Sequence, residues 1–175
     1  MKVIFCYTNV PDARSADAIR KYAPTAEWIQ TPLHFDYNNA LMSRWGSGED
    51  IVIIEGDKEI TDEVIPSFEA CNEPWCTYSY YTFPTPYQRL ITVGLGCTKY
   101  SADLQRQIPA EEISQPHLET LPCPDCDGKG CWRYMDTRIS FAILNRCIVF
   151  TPHVHGELNH YHEYPSDWAK QRGLE

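Results

Sequence analysis

The stretch IVIIEGDKEIT, from Ile51 to Thr61, decides how the rest of this sequence is interpreted. Its β-branched apolar run predicts a buried strand that ends at Glu55-Gly56-Asp57. Residues two apart on a strand project to the same side, so Glu55 and Asp57 are expected to share one face at its carboxyl end. Ligands of open α/β sheets bind at that edge, and paired carboxylates suit a hard divalent cation that in turn holds phosphates. A charged turn after a strand is the alternative interpretation.

The composition of the chain limits the classes of protein to which it can belong. Of its 175 residues, 43% are hydrophobic and 13% aromatic, which excludes a disordered chain and predicts one domain with a substantial core. No apolar run approaches the roughly 20 residues of a membrane helix. The opening MKVIFCYTNV is typical of a first strand and not of a signal peptide, so we expect a cytoplasmic protein with no membrane partner. The formal net charge of −9 argues against general nucleic-acid binding, which needs clustered Lys and Arg.

The first 75 residues alternate strands with helices. Strands are predicted over 2–7, 26–30 and 51–55, and helices over 12–23, 36–45 and 60–71. The last of these helices contains Pro66, so it is either kinked there or begins near Ile65. Such alternation predicts a parallel sheet with right-handed crossovers, the layout of a nucleotide-binding half-sheet. Neither G-x-G-x-x-G nor G-x-x-x-x-G-K-[ST] follows the first strand, which argues against dinucleotide oxidoreductases and P-loop phosphotransferases.

The second half of the chain has a different pattern. It is predicted to contain strands over 75–83 and 90–97, a short helix over 101–108, a loop over 109–131, a helix over 132–147 and a strand at CIVF, 147–150. Asp136 lies within the last helix, where Asp has poor propensity. It is interpreted either as a general base facing a site or as a surface ion-pair partner of a neighbouring arginine. Cys6 and Cys147 are expected to be plain core residues.

Histidines are concentrated near the end of the chain. Four of the six histidines fall in the run HVHGELNHYH, as His153, His155, His160 and His162. In extended chain the two members of each pair share a face. Imidazole can complete a carboxylate metal site, so we expect at least one of these histidines to bind the same cation as Asp57. The alternative is a polar segment whose histidines hydrogen-bond their neighbours.

A cysteine-bearing segment precedes the last predicted helix. The chain has eight cysteines, and CPDCDGKGC contributes three of them, Cys123, Cys126 and Cys131. A C-x-x-C followed by glycines can wrap a tetrahedral zinc ion, and this segment matches half of the C-x-x-C-x-G-x-G unit of zinc-binding chaperone domains. The fourth ligand of this candidate structural zinc site would be His117, Cys97, Cys71 or Cys76. A redox role is disfavoured, because the motif does not open a helix after a strand.

The order of these motifs resembles the nucleotide-diphospho-sugar glycosyltransferases of the A-type fold, family 2-like. EGD at 55–57 stands where that family has its acidic D-x-D-like motif, and GLGCTKYSADL at 94–104 resembles its acceptor-side segment. WRYMDTRIS at 132–140 resembles the helix with the catalytic base, and HVHGELNHYH stands where the metal-binding histidine stands. The chain departs from the family in having Glu55 as the first acid and Tyr134-Met135 before Asp136, where a Glu-Asp pair is usual.

The resemblance implies a fold and a set of partners. The fold would be a single-domain, Rossmann-like αβα sandwich with a mixed sheet over residues 1–175. Residues 1–75 would form its nucleotide-binding half, and residues 76–165 its acceptor- and metal-binding half with the cysteine loop at 117–131. A nucleotide-diphosphate sugar would be the donor, Mn²⁺ or Mg²⁺ the cofactor, and a hydroxyl of unknown identity the acceptor.

The resemblance also implies residue roles. Asp57 and a late histidine would bind the cation, and Glu55 would lie nearer the ribose or a metal-bound water. Asp136 would take the proton from the acceptor hydroxyl. The nucleotide pocket would be lined by the residues just past the first strand, namely Thr8, Asn9 and Arg14.

Three other functions are compatible with the same residues. A non-catalytic module of this fold would bind a nucleotide sugar without turnover. A metal-dependent phosphohydrolase or nuclease would use the His/Asp cluster with two metal ions. A small interaction protein would use the cysteine loop as a zinc-stabilised element.

Overall fold

The computed structural model describes residues 1–32, 34–83, 85–114, 135–161 and 170, and for residues 34 and 35 it describes the backbone alone. Several residues singled out above lie outside the described part of the chain, namely His117, Cys123, Cys126, Cys131 and His162. The candidate zinc site of the cysteine loop and the role of His162 therefore stay predictions.

The described residues form strands and helices in alternation. The strands are β1 (Lys2–Tyr7), β2 (Glu27–Gln30), β3 (Ile51–Glu55), β4 (Lys58–Glu59), β5 (Trp75–Thr82), β6 (Arg89–Ile91), β7 (Cys97–Tyr100) and β8 (His153–His160). The helices are α1 (Ala13–Tyr22), α2 (His34–Met42), α3 (Val64–Ala70), α4 (Ala102–Gln107), α5 (Ala110–Ser114) and α6 (Met135–Asn145). Among these helices, none has the length and apolar content required of a bilayer span.

One mixed sheet organises the molecule. Its strand order is β2-β1-β3-β7-β5-β8-β4, with β6 beside β5. Strands β1, β2 and β3 are parallel, β7 is antiparallel to β3 and β5, and β8 runs parallel to β5. The sheet and its helices form a Rossmann-like α/β fold, which confirms the predicted fold class. Because the chain leaves β1 toward β2 and then crosses back to β3 on the other side, the topological switch point lies between β1 and β3.

Both faces of the central strands are covered by helices. On one face Ile4 and Ile53 pack with side chains of α2, α4 and α6. On the other face Phe5 and Ile54 pack with side chains of α1 and α3. Burial on both faces explains why the sequences of β1 and β3 are continuous apolar runs and do not alternate with polar residues.

The third helix begins later in the chain than residue 60, where its predicted range begins. It starts at Val64, with Glu63 at the N-cap position, and so contains Pro66 in its first turn. Proline is tolerated there because the first amides of a helix have no intrahelical partner. This confirms the interpretation that the helix begins near Ile65.

The second half differs from its predicted elements in four places. Residues 90–97, predicted as one strand, form the end of β6, an irregular stretch over 92–96 and the start of β7. The CIVF segment is not a strand, and the strand is instead the histidine run itself, β8. Helix α6 ends at Asn145, and Cys147 follows in a left-handed conformation with φ 53°, exposed and not in the core as expected. Residues 110–114, predicted as loop, form α5. Cys6 is buried as expected.

Candidate functional site

A cavity of about 590 Å³ opens at the carboxyl ends of β1 and β3. It lies at the switch point of the sheet, and its volume is in the range of small-molecule sites. Its lining residues include Tyr7, Thr8, Asp12, Tyr37, Glu55, Gly56, Asp57, Lys58, Tyr80, His160 and Tyr161. The cavity therefore combines the ends of the first half-sheet with the last described strand.

Gly56 fixes the turn that presents the two acids. Its amide donates to the carbonyl of Cys6 at 2.8 Å, and its carbonyl accepts from the amide of Asp12 at 2.9 Å. A Cβ at this position would lie 2.7 Å from the Cβ of Tyr7, so only glycine allows this close approach. The turn thereby ties the start of α1 to β3 and directs the next residue, Asp57, to the cavity wall.

Asp57 meets a histidine from the other end of the chain. Its Oδ2 lies 3.0 Å from Nε2 of His160, and Nδ1 of His160 lies 2.7 Å from the carbonyl oxygen of Tyr81. A carbonyl and a carboxylate only accept hydrogen bonds, so Nδ1 donates to Tyr81, and the contact with Asp57 needs either a proton on Nε2 or a cation between Nε2 and Oδ2. Backbone pairing of β4 with β8 brings the two side chains together, with Lys58 opposite His160. The structure thus joins Asp57 to one of the late histidines, and metal binding by the pair stays a prediction.

Lys58 is a buried cation that sequence reasoning missed. Its side chain is 1% exposed. Its Nζ pairs with Oδ1 of Asp57 and lies 3.6 Å from Oε2 of Glu55. The ammonium also lies 4.1 Å from the ring centroid of Tyr80, a cation–π contact. A Cβ on Gly96 would lie 2.6 Å from Cε of Lys58, so that glycine makes room for it. A lysine after an acidic turn normally stays in solvent, and no local signal distinguishes this one.

Glu55 lies in a strongly acidic environment. Burial raises the pKa of its carboxyl, Asp57 and Asp136 raise this pKa further, and the Lys58 ammonium opposes the change. Its Oε1 accepts a hydrogen bond of 3.3 Å from the hydroxyl of Tyr37. The elevated pKa means that a cation or a proton is favoured beside Glu55.

Asp136 does not line the cavity but lies within electrostatic reach of it. It is the second residue of α6 and is half-buried, and its charge contributes to the raised pKa of Glu55. Burial raises the pKa of the Asp136 carboxyl itself, against the opposing effect of hydrogen bonds from Thr137, whose amide lies 2.7 Å from Oδ1. The charge of Arg138 also lowers this pKa, so the roles of Asp136 as a general base and as an ion-pair partner both stay predictions.

The three residues expected to line the nucleotide pocket do not all line the cavity. Thr8 lines the cavity, whereas Asn9 and Arg14 are not among its lining residues. The guanidinium of Arg14 pairs with Asp12 at 2.9 Å and lies 3.3 Å from the ring centroid of Tyr161. The positive charge of Arg14 is therefore already compensated, and its side chain supports Tyr161, which forms part of the cavity wall.

His153 and His155 do not line the cavity. They lie at the opposite end of β8, beside Cys71 and Cys76. The structure therefore divides the histidine run into two places, with His160 at Asp57 and the first pair at a separate cluster.

Comparison with protein-family models and with curated protein sequences finds no match. Two solved structures show a distant likeness in fold. One is a glycosyltransferase involved in the glycosylation of the major capsid of PBCV-1, with 9% identity, a TM-score of 0.46, and coverage of 89% of this chain and 82% of that chain. The other, a protein from STIV, has 10% identity, a TM-score of 0.43, and coverage of 79% and 78%. At these values neither likeness bears on activity.

The donor atoms beside the cavity suit a hard divalent cation. Adjacent ligands of an octahedral ion at about 2.1 Å are about 3 Å apart, and Oδ2 of Asp57 and Nε2 of His160 are 3.0 Å apart. The bond from Nδ1 of His160 to a backbone carbonyl is the usual way in which a metal-binding imidazole is oriented. Lys58 pairs with the other oxygen of Asp57. Asp57 and His160 could therefore hold Mn²⁺ or Mg²⁺ while Lys58 stays in place.

Proposed function

We propose that this chain is a metal-dependent glycosyltransferase that moves a sugar from a nucleotide-diphosphate donor to a hydroxyl acceptor. The observation that carries this proposal is the meeting of Asp57 and His160, 3.0 Å apart, on the wall of a cavity at the switch point of the sheet. The order of sequence motifs that resembles the A-type glycosyltransferases supports the same function.

The charge of the cavity favours a ligand that brings its own cation. Among the described residues that line it, Asp12, Glu55 and Asp57 carry carboxylates and Lys58 carries an ammonium, and Arg14 pairs with Asp12, which leaves two carboxylates against one ammonium. A diphosphate would be repelled by this surface unless a divalent ion bound with it. Tyr7 and Tyr37 give the cavity aromatic walls, against which a nucleoside base can pack.

Asp57 and His160 are the residues that would hold the ion, and Thr8 and Glu55 would contact the nucleoside. When bound, the divalent ion supplies positive charge next to the diphosphate that departs from the sugar. Lys58 fixes the orientation of Asp57 and adds a second positive charge within the cavity wall. Because its ammonium is buried and preorganised, its interaction with a departing phosphate is weakened little by water.

Asp136 does not itself line the cavity, and we propose it as the general base on the basis of the family resemblance and of its electrostatic effect on Glu55. Its raised pKa, caused mainly by burial, brings the carboxylate closer to the working pH at which a base is most effective. It would accept the proton of the acceptor hydroxyl while that oxygen bonds to the anomeric carbon and the bond from that carbon to the diphosphate breaks. The proton then resides on the Asp136 carboxyl and the electron pair on the diphosphate.

A binding screen followed by an activity assay tests this function. Nucleoside-diphosphate sugars are compared by thermal shift with and without Mn²⁺, and the best ligand is then assayed for release of the nucleoside diphosphate. We expect stabilisation only when Mn²⁺ is present, and loss of that stabilisation in Asp57→Ala. Asp62→Ala, a change at an exposed carboxylate outside the cavity, is the control. Full metal-dependent affinity of Asp57→Ala for every donor would contradict the proposal.

One observation favours a second candidate, a non-catalytic nucleotide-sugar-binding module. Lys58 already neutralises part of the charge of Asp57 and Glu55, so the cavity can persist as a binding site without turnover. The same assay separates the two functions, because a binding module is stabilised by the donor but releases no nucleoside diphosphate. A two-metal phosphohydrolase receives less support, since within the described residues the one group of three or more candidate metal ligands lies away from the cavity.

A further inference from the structure

A second group of metal-binding side chains lies at the other end of β8. Cys71 directly follows α3 as its C-cap residue, and Cys76 is the second residue of β5. His153 and His155 are the first and third residues of β8. Cys76 lies opposite His153 in the parallel pairing of β5 with β8. Two segments that are distant in sequence, 71–76 and 153–155, therefore bring two thiols and two imidazoles together.

The ligand atoms of this group are close enough to share one ion. Sγ of Cys71 lies 2.9 Å from Sγ of Cys76 and 3.2 Å from Nδ1 of His153. One ligand atom from each of the four residues lies within 4.8 Å of every other. A tetrahedral zinc ion with Zn–S of about 2.3 Å and Zn–N of about 2.0 Å places its ligands about 3.3 to 3.8 Å apart, so small side-chain adjustments accommodate it.

His155 supplies an independent observation. Its ring stacks on Tyr78 with centroids 5.6 Å apart and meets the ring of Phe68 edge-on at 5.5 Å. Its Nε2 is buried and has no hydrogen-bond partner among the described residues. Buried polar nitrogens are normally satisfied, and an ion held with the two thiols and His153 would satisfy this one.

We propose that Cys71, Cys76, His153 and His155 form a structural zinc site. Two sulfur and two imidazole ligands are the donor set of tetrahedral structural zinc, and they suit Mg²⁺ or Mn²⁺ poorly. All four positions are filled by the protein, which leaves none open for substrate. The C-x₄-C spacing of Cys71 and Cys76 is compatible with such sites, and the two histidines lie two apart because a strand, not a helix, presents them.

The zinc site is separate from the cavity and does not depend on the proposed function. His160 lies seven positions after His153 in β8, which corresponds to about 23 Å of strand. The ion would join the end of α3 to the starts of β5 and β8. Lys99 supports the same corner, since its buried Nζ donates to the carbonyl of Phe68 at 2.9 Å and to that of Cys71. Zinc would thus anchor the strand whose other end carries His160.

Metal analysis of untagged protein tests this site. A background variant with Cys123, Cys126 and Cys131 all changed to Ser removes any contribution of the cysteine loop. We expect this variant to retain one zinc per chain. When Co²⁺ replaces the zinc, we expect the intense visible absorption of a tetrahedral ion. The thiolate-to-cobalt charge-transfer band should have the intensity of two thiolate ligands. Adding Cys71→Ser and His153→Gln should remove both signals. Adding Cys147→Ser, a change at an exposed cysteine outside the cluster, should remove neither.

The paired substitution and Cys147→Ser are also compared in the natural sequence, so the test does not depend on the background variant. Cys71→Ser with His153→Gln should lower the zinc content by one equivalent and lower the melting temperature, whereas Cys147→Ser should change neither. Two results would overturn the proposal. One is unchanged zinc content after the paired substitution. The other is protein that binds no zinc or cobalt, with Cys71 and Cys76 recovered either as free thiols or as a disulfide that lowers the mass by about 2 Da.

Discussion

Oδ2 of Asp57 and Nε2 of His160 lie 3.0 Å apart although 103 positions separate them in the sequence. The contact depends on the pairing of β4 with β8, which also hydrogen-bonds the amide of Tyr161 to the carbonyl of Asp57 at 2.9 Å. A carboxylate and an imidazole whose other nitrogen is bound to a carbonyl form a preorganised pair of donors for a cation.

His160→Gln should weaken Mn²⁺ binding in the presence of a nucleoside diphosphate by at least about tenfold, because one of two protein ligands is removed. Isothermal titration of Mn²⁺ into protein with excess nucleoside diphosphate measures the change. Glu157→Gln is a matched control, since Glu157 is exposed on the same strand and does not line the cavity. Equal losses in the two variants would show that His160 has no special role.

Lys58→Met should destabilise the protein by roughly 2 kcal/mol, because Asp57 and Glu55 lose their shared partner. The expected loss is smaller than for a fully buried pair, since the carboxylates are 28% and 30% exposed. Urea unfolding measures it, and Mn²⁺ should restore stability more in the variant than in the natural protein. Lys21→Met, at an exposed position of α1, is the control. A Lys58→Met protein as stable as the natural chain without metal would contradict the structural role assigned to this ammonium.

Gly56→Ala should destabilise the fold by about 1–3 kcal/mol, because the new methyl group would overlap the Cβ of Tyr7 in a packed region. The overlap is at 2.7 Å. Gly156→Ala is a milder comparison, since its Cβ would approach Tyr78 no closer than 3.3 Å. Thermal or urea unfolding of both variants measures the difference. We expect Gly56→Ala also to lose donor binding, and an unchanged affinity would show that the turn does not shape the cavity.

Asp136→Asn should lower turnover by about 100-fold or more while leaving donor affinity within a factor of two or so, because a general base is removed but no donor contact is lost. Steady-state kinetics with a donor and acceptor pair measure the two effects. In the natural protein the acid side of the pH–rate profile should report the raised pKa of Asp136. Turnover should therefore fall as the pH drops through that raised pKa.

Asp136→Asn should lower turnover but raise the stability of the fold at neutral pH. The raised folded pKa of Asp136 means that its contribution is fully favourable below the pKa of about 4 in the unfolded chain and is lost as the pH rises through the folded pKa. Asp136→Asn should therefore raise the unfolding free energy at neutral pH and not at pH values below 4. Urea unfolding at both pH values is the measurement. A variant less stable than the natural protein at neutral pH would show that the ionised carboxylate is stabilised in the fold.

The first half of the fold follows from its sequence because local patterns agree with tertiary structure. Strands β1 and β3 are buried on both faces, so their apolar runs are unambiguous. Other strands depend on partners distant in sequence. β4 has two residues and exists through its pairing with β8. β8 itself is mostly exposed, with Leu158 its buried residue, so it lacks the alternation that marks a strand.

The site was predictable in part. The carboxylates of EGD and a late histidine were expected near one another, and Asp57 and His160 are in contact. Strand geometry could have shown that His155 and His160, five residues and about 17 Å apart, cannot bind one ion. Lys58 gave no such signal, because its burial comes from Gly96 and β8. The roles of the expected site residues, and the division into nucleotide and acceptor halves, stay predictions.

We propose above that Asp57 and His160 hold one divalent ion together with a donor diphosphate. Crystals soaked with Mn²⁺ and a nucleoside diphosphate, examined by anomalous scattering at the manganese edge, test it most directly. We expect a peak about 2.1–2.3 Å from both Oδ2 of Asp57 and Nε2 of His160, with the diphosphate bound to the same ion. Bound nucleotide with no manganese between these two side chains would contradict it.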